Sequence, residues 1–351
     1  MNVSWGDALS YDIRELTISD HEAYSAFVEP APVYYGWHYK SLLEELLNCS
    51  SQYLAATSDD RIRGVLPLMY LNHDNRRLYN ALPFFGSHGD ILASTPAAAS
   101  ALADAYCQLA TAPSTIAATI IENPFAEPHG CTLPYTHTDT RTAQYTMINE
   151  LDPDDGIMPL IDSAARRNVR KAIKAGVTVT INNDCMQDLK RLHVAGMAAI
   201  GGTRKSDAFF DLLPTYFHPD KDYDIYAAHL DGEVIAALLI LYSGTTVEYF
   251  IPATDEQFRK AQPLSLILKK AMKNAAARGY KIWNWGGTWE TQTGVYRFKR
   301  KWGAQEKSYR YFTQLNDLSI STWPRARILQ DFPFFYVMPF AALGVETEIA
   351  T

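Results

Sequence analysis

The dipeptide Asp231-Gly232 does more than any other feature to limit what this chain can fold into. It stands between the apolar runs 224–230 and 234–242. A two-residue Asp-Gly turn has both central residues at positive φ, and that geometry suits the twist of an antiparallel strand pair. A hairpin alone is marginal in water, so it needs further strands or a helix against it. Residues 246–251 read as a third strand, 281–285 as a short fourth and 309–314 as the strand that closes the sheet. Helices are expected over 186–200 and 208–217, and a long one over 263–278, opened by Pro263 and ended by Gly279.

The chain has 351 residues, about twice a typical domain. The same logic appears more sparsely in the first half. Residues 34–47 place Trp37, Leu42, Leu43, Leu46 and Leu47 at helical spacing, and strand patterns follow at 52–57, 63–71 and 78–92, the last broken by a loop at 86–90. An alanine-rich helix at 96–110 precedes strands at 115–121 and 145–151. Leu151-Asp-Pro-Asp-Asp-Gly156 reads as a linker, so the division expected is 1–151 and 152–351. The fold class expected is α/β (α+β), with two related units, each a mixed, mostly antiparallel sheet flanked by helices.

Hydrophobic content of 47% and charged content of 20% fit a globular protein with a full core. No segment is both long and apolar enough to cross a bilayer, and residues 1–20 lack the apolar run of a signal peptide, so a cytoplasmic location is expected. Cys49, Cys107, Cys131 and Cys185 show no paired spacing, and His129 with Cys131 falls short of a metal ligand set, so no metal is expected. There is no Gly-x-Ser-x-Gly and no phosphate-binding Gly-x-x-x-x-Gly-Lys-Ser/Thr loop. A net charge of −7 argues against DNA binding.

Positive charge is nevertheless concentrated in two places: Arg166, Arg167, Arg170, Lys171 and Lys174, and then Arg297, Lys299, Arg300 and Lys301. The first cluster lies on a helix capped by Asp162 or Ser163, running to Lys174 and stopped by Gly176. Ala165, Val169 and Ile173 form its apolar stripe, while Arg166, Arg170 and Lys174 share one face and Arg167 and Lys171 another. It reads either as a solvated basic face or as a phosphate clamp, since guanidinium binds phosphate bidentately. The second cluster follows Trp283-Asn-Trp-Gly-Gly287, a strand end whose glycines allow a sharp turn or a close ligand approach. Trp289 and Glu290 come next, and the alternating Tyr296-Arg-Phe-Lys299 reads as a strand. Aromatics interleaved with cations suit nucleic-acid stacking, or equally a core with charged rims.

These motifs, in this order, resemble the C-terminal half of the FemAB group of peptidoglycan-bridge aminoacyltransferases, within the GNAT superfamily. The resemblance covers about residues 166–303 and rests on the Arg-Lys-Ala-x-Lys-x-Gly-Val helix end, the Asp-Gly hairpin, the Gly-Gly strand end and Tyr-Arg-Phe-Lys-Arg. The first half is similar more weakly, through Gly64-Val-Leu-Pro-Leu68 and Gly86-Ser-His-Gly-Asp90, with Ser87 where the group often carries proline. The resemblance implies two tandem GNAT-like domains and an N-acyltransferase that acts on an amine of a cell-envelope precursor. It implies Lys299 for the oxyanion and Arg170, with Arg166 or Arg167, for an acceptor diphosphate. Trp289, Tyr296 and Arg297 would line the acceptor. Asp90 is the candidate base, with His88 and Glu290 as alternatives. The acceptor would be a small molecule or nucleotide- or lipid-linked, and a lipid-linked one would suit a peripheral contact with the inner membrane.

No tightly bound cofactor is implied; the acyl donor is aminoacyl-tRNA or acyl-CoA. Residues 182–222 leave no room for the long helical arm of some tRNA-dependent members. For CoA, Arg259-Lys-Ala-Gln262-Pro263 stands where GNAT enzymes carry a glycine-rich pyrophosphate loop, so Arg259 and Gln262 are the candidate donor contacts, although Pro263 removes an amide. Competing readings are an acetyl-CoA-dependent enzyme for another small amine and a non-catalytic GNAT-like binding protein. The apolar stretch 332–345 is expected to pack on the C-terminal, catalytic half, with membrane contact or dimerisation as alternatives.

Overall fold

The computed structural model describes residues 11–84, 88–149, 151, 155–288 and 293–339. The first part of the chain forms β1 (Asp12–Glu15), α1 (His21–Val28), α2 (Trp37–Leu47), β2 (Ser50–Ser58), β3 (Arg61–His73), β4 (Arg76–Ala81), β5 (Leu92–Ala93), α3 (Pro96–Ala110), β6 (Thr115–Ile121) and β7 (His137–Met147). There follow α4 (Ser163–Lys174), β8 (Thr178–Ile181), α5 (Met186–Ile200), α6 (Asp207–Tyr216), β9 (Tyr223–Leu230), β10 (Glu233–Ser243) and β11 (Thr246–Thr254). The chain ends with α7 (Pro263–Ala277), β12 (Ile282–Thr288), α8 (Thr293–Arg300), β13 (Gln305–Leu315) and α9 (Arg325–Asp331).

Two compact units result: unit 1 holds Met1–Val28, Tyr34–Arg141 and Ser308–Thr351, and unit 2 holds Glu29–Val33 and Thr142–Lys307. The units therefore differ from a single cut after residue 151, and strand pairing is the reason. β13 pairs antiparallel with β6, from Tyr311↔Ile121 to Leu315↔Ala117. The later half of β7 pairs with β12, from Met147↔Ile282 to Thr142↔Thr288. The strand that ends each half in sequence thus completes the other half's sheet. The tail goes with β13: Phe332, Phe335, Val337 and Met338 are buried, Phe84 N–H donates to Phe334 O, and Asn80 bonds the Tyr336 backbone on both sides. It packs in unit 1, not on the C-terminal half as expected; residues 340–345 lie outside the described residues.

Unit 1 has strand order β1-β2-β3-β4-β6-β13, with β5 on β3. Unit 2 has β7-β12-β11-β10-β9-β8. Each sheet is antiparallel except for one parallel pair, β4/β6 in unit 1 and β11/β12 in unit 2. Each parallel pair is joined through a helix, α3 or α7, as parallel strands require. Both units are therefore mixed, mostly antiparallel sheets flanked by helices. The Asp-Gly hairpin forms as read, with Asp231 at φ 52° and Gly232 at φ 85°.

Helix α7 presents Ile267, Leu268, Ala271, Met272 and Ala275 to unit 2's core, where they meet Ala165, Val169 and Ala172 of α4. Ile173, expected in that stripe, is 53% exposed, because 3.6-residue periodicity carries the stripe from Val169 to Ala172. Among the described residues, no helix is long and apolar enough to cross a membrane.

Candidate functional site

The site begins where the two parallel strands of unit 2 part. β11 and β12 pair only at Thr246↔Ile282, Val247↔Trp283 and Glu248↔Asn284. Beyond that rung β11 continues to Thr254, while β12 shifts register between Asn284 and Gly286 on its other side. Gly286 has φ 72°, a conformation that a side chain would strain, which explains glycine at that position. Strands that diverge leave backbone groups facing a gap, which suits insertion of a ligand.

Lys299 serves this bulge. Its residue lies on α8, so the alternating pattern read as a strand is helical: Thr293–Arg300. The side chain is buried, and Nζ donates to Gly286 O and Gly287 O at 3.3 Å each and to Thr288 Oγ1 at 2.7 Å. Thr288 Oγ1 donates onward to Gln144 Oε1 at 3.1 Å. Burial pushes the Lys299 ammonium down to about 8, since desolvation disfavours the charged form. At the fork, Asn284 Nδ2 donates to Glu248 Oε2 at 2.7 Å, and both residues are buried. Asn284 Oδ1 accepts from Gly286 N–H at 2.9 Å. Glu248, Asn284, Gln144 and Thr288 were not singled out from sequence, because only the sheet register brings them together.

The phosphate-clamp candidates lie on α4. Arg167 and Arg170 are exposed, and partly buried Arg166 donates to Met158 O at 3.3 Å. Asp162 caps the helix, accepting from Ala165 N–H at 2.7 Å, while its own N–H donates to Lys301 O at 3.0 Å. That bond ties the start of α4 to the end of α8. Neither helix carries an acidic residue, so their outer faces are cationic. Arg297 is exposed, and the Tyr296 hydroxyl donates to Glu306 at 2.7 Å. Trp289 and Glu290 lie outside the described residues.

The candidate donor contacts sit in the 3-10 turn Glu256–Ala261 that enters α7. Arg259 pairs with Glu256 at 3.1 Å with both side chains largely exposed. Gln262 takes φ 62° at the α7 N-cap, and its side chain turns back to Arg259 O at 3.0 Å.

Asp90 belongs to unit 1. Its carboxylate accepts from Ile91 N–H at 2.7 Å and lies 3.1 Å from His129 Nε2. Cys131 N–H donates to His129 Nδ1 at 3.0 Å, which holds the neutral ring as the Nε2–H tautomer that donates to Asp90. The link between His129 and Asp90 escaped the sequence reading, in which His129 stood only beside Cys131. Among the described residues there is no cluster of three or more potential metal ligands. His88, the alternative base, is fully buried, edge-on to the rings of Tyr34, Phe125 and Tyr309, and is pushed down to about 4 by desolvation.

His193 in unit 2 is also buried and pushed down to about 4, by desolvation first and by Lys205 and Arg204 next. A histidine whose folded affinity for protons is depressed stabilises nothing extra above the unfolded value and is penalised below it. The melting temperature is therefore expected to fall as pH drops from 6.5 to 4, with roughly 3 kcal/mol at stake for His88 and less for His193, where solvent screens the charge. Calorimetry on H88F and H193F should show a flatter acid limb; an unchanged limb would refute this cause.

Comparison with known proteins bears on the fold. Residues 163–300 match the family described as acetyltransferase (GNAT) domain. Among solved structures, FemX aligns at TM-score 0.68 and 15% identity, covering 88% of this chain and 98% of that one. The C-terminal domain of a putative lysylphosphatidylglycerol synthetase from Agrobacterium fabrum aligns at TM-score 0.57 and 12% identity, covering 89% and 96%. A protein of unknown function from Bacteroides thetaiotaomicron aligns at TM-score 0.55 and 12% identity, covering 88% and 100%. No curated protein matches the sequence. The likeness to the solved structures is one of fold, and the GNAT domain match covers residues 163–300 within unit 2.

Proposed function

We propose that this chain is a GNAT-type acyltransferase that moves an acyl or aminoacyl group onto an amine of a phosphate-bearing cell-envelope precursor. The observation that carries the reading is the buried Lys299 ammonium at the bulge where β11 and β12 part. Attack of an amine on an acyl carbonyl places negative charge on the carbonyl oxygen, and a preorganised cation in a dry site stabilises that charge. All three ammonium protons are already used, but the two carbonyl bonds are long at 3.3 Å, so a developing oxyanion can displace one of them. The amine nitrogen forms the new C–N bond and loses its proton, and the donor's ester or thioester bond breaks with the proton leaving on the departing group. No covalent enzyme intermediate is required. Within unit 1, the Asp90 carboxylate is oriented by His129 at 3.1 Å, the arrangement a general base needs.

The cationic face of α4 supports a phosphate-bearing acceptor, because Arg167 and Arg170 are free to form bidentate contacts in solvent. Reversing both, R167E/R170E, is expected to raise KM for a nucleotide-diphosphate-linked acceptor at least about tenfold while changing kcat little. Equal loss with a phosphate-free analogue would remove the clamp from the proposal.

A donor of the acyl-CoA class is favoured by the GNAT domain match, and aminoacyl-tRNA by the resemblance of the sequence motifs to the FemAB group. The turn before α7 gives CoA weak support, since Pro263 lacks the amide that would face a pyrophosphate. Thermal-shift titration with acetyl-CoA, and separately with a UDP-amino-sugar peptide, tests the choice. Stabilisation by the nucleotide precursor supports the envelope reading; stabilisation by CoA alone replaces it with an acetyltransferase acting on another small amine. A cytoplasmic site of action, with any membrane contact made by the acceptor's lipid, completes the proposal.

A further inference from the structure

We infer that Asn284 is a positioning residue: it clamps the point where β11 and β12 part and so fixes the bulge whose carbonyls hold the Lys299 ammonium. The inference rests on the role given to Lys299 above, but the geometry stands by itself. Asn284 occupies the last paired rung of the parallel strands, opposite Glu248. Its side chain has no exposed surface, and its two polar ends do different work. The Nδ2 end reaches across the rung to Glu248 Oε2 at 2.7 Å. The Oδ1 end reaches along its own strand to Gly286 N–H at 2.9 Å. That second bond closes a turn two residues long, of the kind asparagine makes with its own backbone, and it holds Gly286 in its positive-φ conformation.

The register shift in β12 follows from the same turn, between Asn284 and Gly286. Gly286 O and Gly287 O, which the turn aims, are two of the three acceptors of Lys299 Nζ. One amide therefore sets both the strand spacing and the seat of the cation. No other side chain of this length donates at one end and accepts at the other. Aspartate keeps the acceptor for Gly286 but places a second carboxyl oxygen about 2.7 Å from Glu248. Two carboxyl oxygens at that distance coexist only with a proton between them. Alanine removes both ends.

The test follows Lys299 itself and needs no substrate. The full chain, labelled with ε-13C lysine, is titrated by NMR, and the Lys299 signal is identified by its loss in K299R. The wild-type midpoint is expected near 8. In N284A and N284D the bulge loosens, water reaches the ammonium, and the midpoint is expected to rise by about one unit or more, a tenfold gain in proton affinity. N284D should also melt close to wild type at pH 5, where the shared proton is present, and several degrees lower at pH 8. Should N284A fail to fold, the isosteric N284D carries the test. A Lys299 midpoint within about 0.3 of wild type in folded N284D overturns the inference, since a tenfold effect would be plain. So does an N284D protein that is unfolded at both pH values, because Asn284 would then be a core residue and no more. Failure of the acyl-transfer reading is seen elsewhere: K299M that transfers normally would remove that reading while leaving the titration intact.

Discussion

Replacing Lys299 by methionine is expected to lower the transfer rate by about 10²–10³-fold while the protein melts no lower than wild type. The loss follows from the chemistry: without the ammonium, the oxyanion of the tetrahedral intermediate meets only the bulge carbonyls and the Thr288 hydroxyl. The unchanged stability follows from the burial. A lysine held near 8 against an ordinary 10.5 is a cation the fold tolerates at a cost, on the order of 3 kcal/mol at neutral pH. The sign is that of a depressed base. Below pH 8 both folded and unfolded states carry the proton and the penalty is full; from 8 to 10.5 the unfolded state binds more protons, and stability rises with pH. Methionine fills a similar volume without a charge, so K299M should lose that rise and gain stability at pH 7, less what its three former acceptors lose. Transfer by the wild type should decline above pH 8 as Lys299 loses its proton. K299R, slower but permanently charged, should show no such decline. A K299M enzyme that loses activity only in proportion to a lost melting temperature would make Lys299 structural.

The second large effect concerns the tail. Residues 1–151 alone are expected to be insoluble, and removal of 308–351 from the full chain should have the same outcome. β6 is buried along its whole length, from Thr115 to Ile121, and lies between β4 and β13. Without β13 its edge, Thr-Ile-Ala-Ala-Thr-Ile-Ile, becomes an open, uncharged β-template of the kind that recruits other chains. The same removal strips Ile320, Ile328, Phe332, Phe335, Val337 and Met338 from the core. At about 1.5–3 kcal/mol for each large apolar side chain, the loss rivals the whole stability of a domain. It also breaks the Arg76–Asp317 ion pair and the Asn316 bonds to Ala110 O and Thr115 O. Co-expressing residues 300–351 with 1–299 should recover soluble protein. A soluble, cooperatively melting 1–151 fragment would show that the closing strand is dispensable.

What could be read in advance divides along a physical line. The β9–β10 hairpin was legible because its turn chemistry is local, and α5 was legible because its periodicity runs for four turns. The Tyr296–Lys299 segment was misread, since alternation over four residues does not separate a strand from a single helical turn. In the helix, Phe298 faces Trp285 and Trp302, and Lys299 is the side chain that goes inside. The role proposed for Lys299 came from family resemblance. Its supports did not, because Glu248 and Asn284 meet only through a rung that joins residues 36 apart, and Asp90 and His129 are 39 apart. The same limit hid the destination of β7 and β13, whose partners no local pattern names.

That reciprocal closure has a consequence for how the molecule is made. Apart from Glu29–Val33, unit 2 is one continuous insertion inside unit 1. On the ribosome the first sheet is begun early and then left with a vacant edge through the synthesis of everything up to residue 307. The inserted unit has all its strands in hand before the outer one receives its last. Birth order and completion order are therefore opposite, and the apolar β6 waits longest for its cover.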